Sequence, residues 1–205
     1  MDPSTGPDAP KAGQGHGAAP LAPHFEVVHE RRQAGIGLDG EVEALVHEIA
    51  LRVVRSTLPG TRTENRMTPE QQALVRESWR QFRPMAGASG IRFYEQLFAL
   101  DPALERLFAA TDIEQQEGKL LAMLGEIVRA LDHPVELVPE LAGLGRRHVE
   151  YGVSDGDYQS VGSALLWTLE QGLGEAFTPE VRAAWTEAYL LVSTIMRRAA
   201  ARKPE

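Results

Sequence analysis

Apolar residues in the last two-thirds of this chain return every three or four positions and do not alternate. In Ile113, Gln116, Leu120, Leu124, Ile127 and Leu131 the steps are three, four, four, three and four. That rhythm belongs to one face of an α-helix, and no segment shows the period of two that a half-buried strand needs. The punctuation agrees. Thr68-Pro69-Glu70-Gln71 is a helix start with a Thr cap, Pro at the first helical position and Gln three residues after the cap. The spacing then places Val75, Trp79 and Phe82 inward. Pro84 to Gly90 breaks the pattern, and Ile91, Tyr94 and Phe98 carry the next helix. Asp101-Pro102 opens a short turn ending near Phe108. A long helix from Ile113 to Leu131 stops at Asp132-His133-Pro134. A further helix tolerates Pro139 in its first turn. Tyr158, Val161, Leu165 and Leu169 mark another, closed by Gly172 and Gly174. Thr178-Pro179 opens the last, with Val181, Trp185, Ala188, Val192 and Ile195 inward. The expected fold class is all-α, an irregular bundle of about seven elements with short connections.

The region before Met67 reads differently. Residues 1–40 are expected to be a mostly disordered extension, rich in Pro, Gly and Ala over its first 24 residues. Residues 41–57 form an amphipathic pattern through Val42, Leu45, Val46, Ile49 and Val53, either a helix packed on the main domain or one that meets a partner. Residues 58–66 read as a linker, and 67–200 as the main domain.

The chain has 205 residues, no cysteine and a net charge of −8. The missing thiols exclude disulfides, thiolate metal sites and a cysteine nucleophile. The negative balance argues against a nucleic-acid surface. No stretch is long and uncharged enough to span a bilayer, and no basic-then-apolar leader opens the chain. The expected location is cytoplasmic. A metal would need His, carboxylates or a non-protein ligand.

Among the six histidines, His148 stands apart. Leu137, Leu141, Leu144 and His148 step by four, three and four, so an imidazole interrupts an apolar stripe. Buried there, it needs a hydrogen-bond partner or a metal. His16, His24, His29, His47 and His133 lie off such stripes and are expected in water. Two more helices carry a polar member on their inward face, Tyr94 and Gln116. Each has an ordinary explanation alone: a core histidine with a partner, a tyrosine on a carbonyl, a solvated glutamine. Each would cost about 1–3 kcal/mol if buried without a partner. Together they suit a polar object placed between three helices, such as a metal with a bound ligand.

Separated motifs then occur in a telling order. They are Phe93-Tyr94-Glu95-Gln96-Leu97-Phe98 with Asp101-Pro102, Leu107-Phe108, and Leu144-Gly145-Arg146-Arg147-His148 with Gly152-Val153. Tyr158 with Val161-Gly162, Ala164-Leu165-Leu166, and Phe177-Thr178-Pro179 with Ala184-Trp185 follow. From Met67 to about Ala200 the chain resembles the globins, above all bacterial single-domain haemoglobins and the globin part of flavohaemoglobins, with similarity to neuroglobin-type sequences as well. The resemblance implies a helical sandwich around haem b (iron protoporphyrin IX). It implies His148 as the proximal ligand, Phe108 as the aromatic residue against the haem, and Tyr94 and Gln116 as the distal pair. Leu120 would line the distal pocket, and Val153 and Val161 the proximal side and floor. Lys119, Arg146 and Arg147 would be candidates for the haem propionates, and Tyr158 would support the proximal histidine.

Dioxygen is the implied ligand, with nitric oxide and carbon monoxide as alternatives. The implied role is storage or delivery, or nitric oxide oxidation with a separate reductase, because nothing after the globin-like segment binds flavin or nicotinamide. A gas sensor or interaction module working through residues 41–57 is the alternative, and a homodimer is left open. In flavohaemoglobin-like proteins a glutamate late in the last helix joins the tyrosine matching Tyr158. That position falls on Ala200 here, which puts peroxidase-like chemistry in doubt.

Overall fold

The structure, a computed structural model, describes residues 67–201. The expected extension, extra helix and linker lie outside the described residues. Six α-helices follow in order: α1 (Pro69–Phe82), α2 (Ala86–Leu100), α3 (Ile113–Arg129), α4 (Val138–Glu150), α5 (Asp157–Leu173) and α6 (Pro179–Ala201). Short 3-10 turns at Arg83–Met85, Pro102–Phe108, Pro134–Leu137 and Gly174–Ala176 join them. Among the described residues there is no strand, and no helix is long and apolar enough to cross a membrane.

The helix boundaries have local causes. At the start of α1 the Thr68 hydroxyl accepts from the Gln71 N–H at 3.2 Å while the Gln71 side chain accepts from the Thr68 N–H at 2.8 Å. Two otherwise orphaned donors are thereby satisfied. Asp112 caps α3 by accepting from the Gln115 N–H at 3.1 Å. Pro139 sits within the first two positions of α4, where its missing N–H costs nothing.

The α1–α2 connection is tighter than the sequence suggested. Instead of a break from Pro84 to Gly90, a three-residue 3-10 turn leads straight into α2 at Ala86. Pro84 sits in the first positions of that turn, where a proline is tolerated. The inward face of α2 also differs. Ile91 is 43 % exposed, while Phe93, Tyr94 and Leu97 are buried. Spacing alone allowed either set, and the neighbouring helices selected one.

The most extensive packing is between α4 and α6, between α2 and α5, and between α1 and α6. The α4–α6 approach depends on Gly145, because a Cβ there would stand 2.2 Å from the Met196 carbonyl oxygen. Trp185, 1 % exposed, anchors α6 to α1. Its indole N–H donates to the Ser78 hydroxyl at 2.9 Å, and that hydroxyl donates to the Leu74 carbonyl at 2.7 Å. The buried indole donor is therefore satisfied. These helices, with the Pro102–Phe108 turn, enclose an internal cavity.

Candidate functional site

His148 lies on the last turn of α4, partly buried. Its Nδ1 is 2.9 Å from the Leu144 carbonyl oxygen, one turn back on the same helix. A carbonyl only accepts, so Nδ1 carries the proton and donates. In a neutral imidazole the lone pair then belongs to Nε2. Burial lowers the His148 pKa below the usual histidine value; the Leu144 hydrogen bond opposes this, and the charge of Arg147 adds to the lowering. The ring is thus neutral, in a fixed tautomer, and oriented by its own helix.

The ring borders a cavity of about 190 Å³. α4, α5 and the turn between them contribute Leu144, His148, Val153, Tyr158 and Val161 to its lining; the Pro102–Phe108 turn and α3 contribute Leu104, Leu107, Phe108, Leu120 and Met123; α6 contributes Trp185, Ala188, Val192 and Met196. Nearly all of these side chains are apolar, which excludes competing water. Of the residues singled out from sequence, His148, Phe108, Leu120, Val153, Val161 and Tyr158 therefore meet at this one cavity.

Tyr158 lies beside the histidine, its ring 6.3 Å from that of His148 and inclined by 26°. Its hydroxyl is buried and has no hydrogen-bond partner among the described residues. The Tyr158 carbonyl accepts from the Tyr189 hydroxyl at 2.5 Å, which ties α5 to α6 beneath the site.

Tyr94 and Gln116 are brought together but do not border the cavity. Tyr94 is 4 % exposed and Gln116 is 9 % exposed, so the solvated reading of Gln116 fails. Tyr94 packs edge-on against Phe108, ring centres 5.4 Å apart. Burial pushes its hydroxyl pKa well above the usual value; a side-chain hydrogen bond with Gln116 opposes this, and the Glu117 charge raises it further. The hydroxyl therefore remains a protonated donor.

The basic candidates lie elsewhere. Lys119 Nζ donates to the Gln115 side chain at 3.0 Å on its own helix. The Arg147 guanidinium folds back along α4, with a terminal nitrogen 3.5 Å from where a Cβ on Gly143 would stand, and its Nε is buried without a partner among the described residues. Neither Lys119, Arg146 nor Arg147 borders the cavity. His133 is exposed, as expected.

Sequence reasoning missed several contributors. Phe93 and Leu97 border the cavity and were hidden beside the more conspicuous Tyr94 and Phe98. Asp157 also borders it, while its carboxylate caps the α5 turn by accepting from the Ser154 N–H at 2.8 Å. The Ser154–Asp157 spacing was the available signal. Glu117 is buried next to Gln116, and nothing in its sequence neighbourhood announced that.

The residues present fit a haem. A neutral imidazole has one bare nitrogen at an apolar cavity that Phe108 also lines. Among the described residues no group of three or more His, Cys, Asp or Glu side chains could hold a metal directly. A metal at His148 would therefore come with a ligand of its own.

Comparison with known proteins agrees with this arrangement. The chain is similar to a neuroglobin of Danio rerio, 29% identical over 153 residues, covering 68% of this chain and 96% of the relative. It is similar to an anaerobic nitrite reductase HBII of Casuarina glauca, 29% identical over 136 residues, with 60% and 85% covered. A crystal structure of a hexacoordinated heme protein from an anhydrobiotic tardigrade superposes with a TM-score of 0.60 at 17% identity, covering 66% of this chain and 96% of that one. At that identity it speaks for the fold alone. These relatives carry the neuroglobin side of the resemblance and do not single out the bacterial type. The family profile described as Globin matches residues 91–196, from α2 through nearly all of α6, and with half the chain matched and the histidine, aromatic and cavity in place, the chain belongs to the globin family.

Proposed function

We propose that this globin holds haem b through His148 and binds dioxygen reversibly on the side of Tyr94 and Gln116. The observation that carries this reading is the His148 Nδ1 bond to the Leu144 carbonyl at the edge of the apolar cavity. It leaves Nε2 bare, and a hydrogen bond on the far nitrogen makes an imidazole a better donor and holds its orientation. Haem, held by His148, would supply an iron that can take a small diatomic ligand.

The chain's own residues do the rest. Phe108, Leu120 and Val161 exclude water and grip a flat apolar group. Tyr94, packed against the cavity-lining Phe93 and Phe108, and Gln116 are donors at neutral pH that would turn toward the cavity to meet a ligand, since neither borders it in the free chain. Lys119, Arg146 and Arg147 remain the candidates for the haem propionates, although none of them borders the cavity in the free chain. The pairing of Tyr with Gln supports the bacterial haemoglobin type within the family.

Storage or delivery is favoured over peroxide cleavage. The Tyr158 hydroxyl beside His148 has no hydrogen-bond partner among the described residues, and by the count from Trp185 an alanine, Ala200, falls where flavohaemoglobin-like proteins carry the glutamate, so no carboxylate is hydrogen-bonded through Tyr158 to the imidazole, although the charges of Asp155 and Asp157 act on Tyr158. Nitric oxide oxidation fed by a separate reductase is compatible with the same donors.

The test is a spectrum of the purified full chain, reduced and then exposed to air. A Soret band that shifts reversibly between the two states is the expected result. The His148→Ala variant should lose it, while its far-ultraviolet circular dichroism stays helical. An unaltered Soret band in that variant overturns the assignment. Nitric oxide consumption with an added reductase then separates enzyme from carrier.

A further inference from the structure

Gly152 closes α4 with a left-handed turn, its φ at +82°. The Gly152 N–H donates to the Val149 carbonyl and the Val153 N–H to the His148 carbonyl, each at 2.9 Å. This is the Schellman closure that ends many helices, and one of the two carbonyls it satisfies belongs to His148. Val153 lines the cavity, and so do Asp157 and Tyr158 at the start of α5. The connection between α4 and α5, residues 151–156, therefore joins two stretches of cavity lining.

Little of α4 packs directly against α5, so the connection depends on α6 for its place. Two attachments run from α6 to this region. The Arg197 guanidinium meets the Asp155 carboxylate at two points, Nε to Oδ1 and a terminal nitrogen to Oδ2, both at 2.8 Å. The Tyr189 hydroxyl donates to the Tyr158 carbonyl at 2.5 Å. The connection is also tied within itself. The Asp157 carboxylate accepts from the Ser154 N–H at 2.8 Å and from the Ser154 hydroxyl at 2.7 Å. Arg197 is the charged attachment of this unit to α6, and nothing in the proposed function uses it.

We propose that Arg197 is a positioning residue for the His148 side of the site: through Asp155 it holds the α4–α5 connection on α6, steadies the helix end that carries His148, and slows loss of the haem. This rests on the haem role proposed for His148. The path is short. It crosses the ion pair to Asp155, runs two residues back to Val153, and passes from that N–H to the His148 carbonyl. A two-point arginine–carboxylate pair fixes direction as well as distance, which a lysine does not. The Arg197 and Asp155 side chains are 47 % and 74 % exposed, so dissolved salt reaches and weakens the pair. Such a pair adds little to global stability. Its effect falls on the short segment beside the cavity. Arg198 lines the same surface groove, but the pair with Asp155 is made by Arg197.

The experiment uses the full chain. Before haem is added, hydrogen exchange is read at the Val153 and Ser154 amides, both of which are bonded within the connection. Arg197→Gln should speed exchange at both by roughly two- to fivefold and leave the amides of α1 unchanged. Asp155→Asn should do the same, and combining the two should add nothing further. Arg197→Lys should fall between wild type and Arg197→Gln. Raising salt from about 0.01 M to about 1 M should move wild type toward the variant and leave Arg197→Gln nearly unchanged. With haem added, its transfer to an excess of haem-free acceptor globin should quicken in Arg197→Gln by a similar factor. The iron–histidine stretching band of the reduced protein should broaden, because the ring samples more orientations. Arg198→Gln should match wild type throughout. Wild-type exchange in Arg197→Gln, additive effects of the two substitutions, or an equal effect from Arg198→Gln overturns the proposal. Faster exchange with unchanged haem transfer and an unchanged iron–histidine band overturns the positioning role. A missing haem spectrum beside intact exchange effects defeats the proposed function and leaves the attachment to α6 standing.

Discussion

Tyr94→Phe isolates one hydroxyl. Tyr94 is 4 % exposed, and its ring packs edge-on against Phe93 at 5.0 Å and Phe108 at 5.4 Å. Phenylalanine keeps those contacts, so the change removes a donor and almost nothing else. In the free protein the hydroxyl is bonded to Gln116, an interaction between neutral groups worth about 1 kcal/mol. With dioxygen in the site the acceptor carries partial negative charge, and donation to it is worth about 1.5–3 kcal/mol. If that bond is broken in the exit transition state, release accelerates roughly ten- to a hundred-fold. The equilibrium effect is smaller, because the free protein also loses its bond to Gln116. The difference of about 0.5–2 kcal/mol weakens affinity only about two- to thirty-fold. Association should therefore quicken by roughly fivefold, since the hydroxyl no longer has to leave Gln116 first. Carbon monoxide is less polarised and should leave at nearly the wild-type rate. Stopped-flow displacement and flash photolysis give the four rates. Equal acceleration for both gases, or unchanged dioxygen release, would refute the donor role.

Gly145→Ala should destabilise the fold by about 1–3 kcal/mol, read as a lower urea midpoint, because its methyl group would meet the Met196 carbonyl at 2.2 Å and push α4 off α6. Wild-type stability in that variant would mean the two helices cross farther apart than described. Tyr158→Phe removes a buried hydroxyl that has no partner among the described residues. It should leave stability unchanged or raise it by about 1 kcal/mol, with the proximal spectrum intact. A loss of 1 kcal/mol or more, or a shifted Soret band, would show that the hydroxyl is satisfied by something in the native protein.

Much of this architecture was readable along the chain. The periodicity of α3 and α6, the capping box at Thr68 and the prolines in first turns are local, and local chemistry decides them. His148 was conspicuous because an imidazole on an apolar stripe has few explanations. Where neighbours choose between two acceptable local solutions, the linear pattern was silent. The inward face of α2 could have been Ile91 with Phe98 or Phe93 with Leu97; packing against α3 and α5 selected the second. Pro84 and the glycines after it looked like a long interruption and became three residues, because Gly90 serves a helix crossing and not a loop.

Type, order and approximate ends of the helices follow from residue chemistry within a few turns, since hydrogen bonds and caps involve neighbours in the chain. So does the presence of a single imidazole suited to hold a metal group. The tertiary structure alone decided that His148, Phe108 and Tyr158 border one cavity, that the Tyr158 hydroxyl is left without a partner among the described residues, and that Glu117 is pressed against Gly90. Those facts arise where helices cross, and what meets at a crossing depends on interhelical distance and angle, quantities carried by no single stretch of sequence.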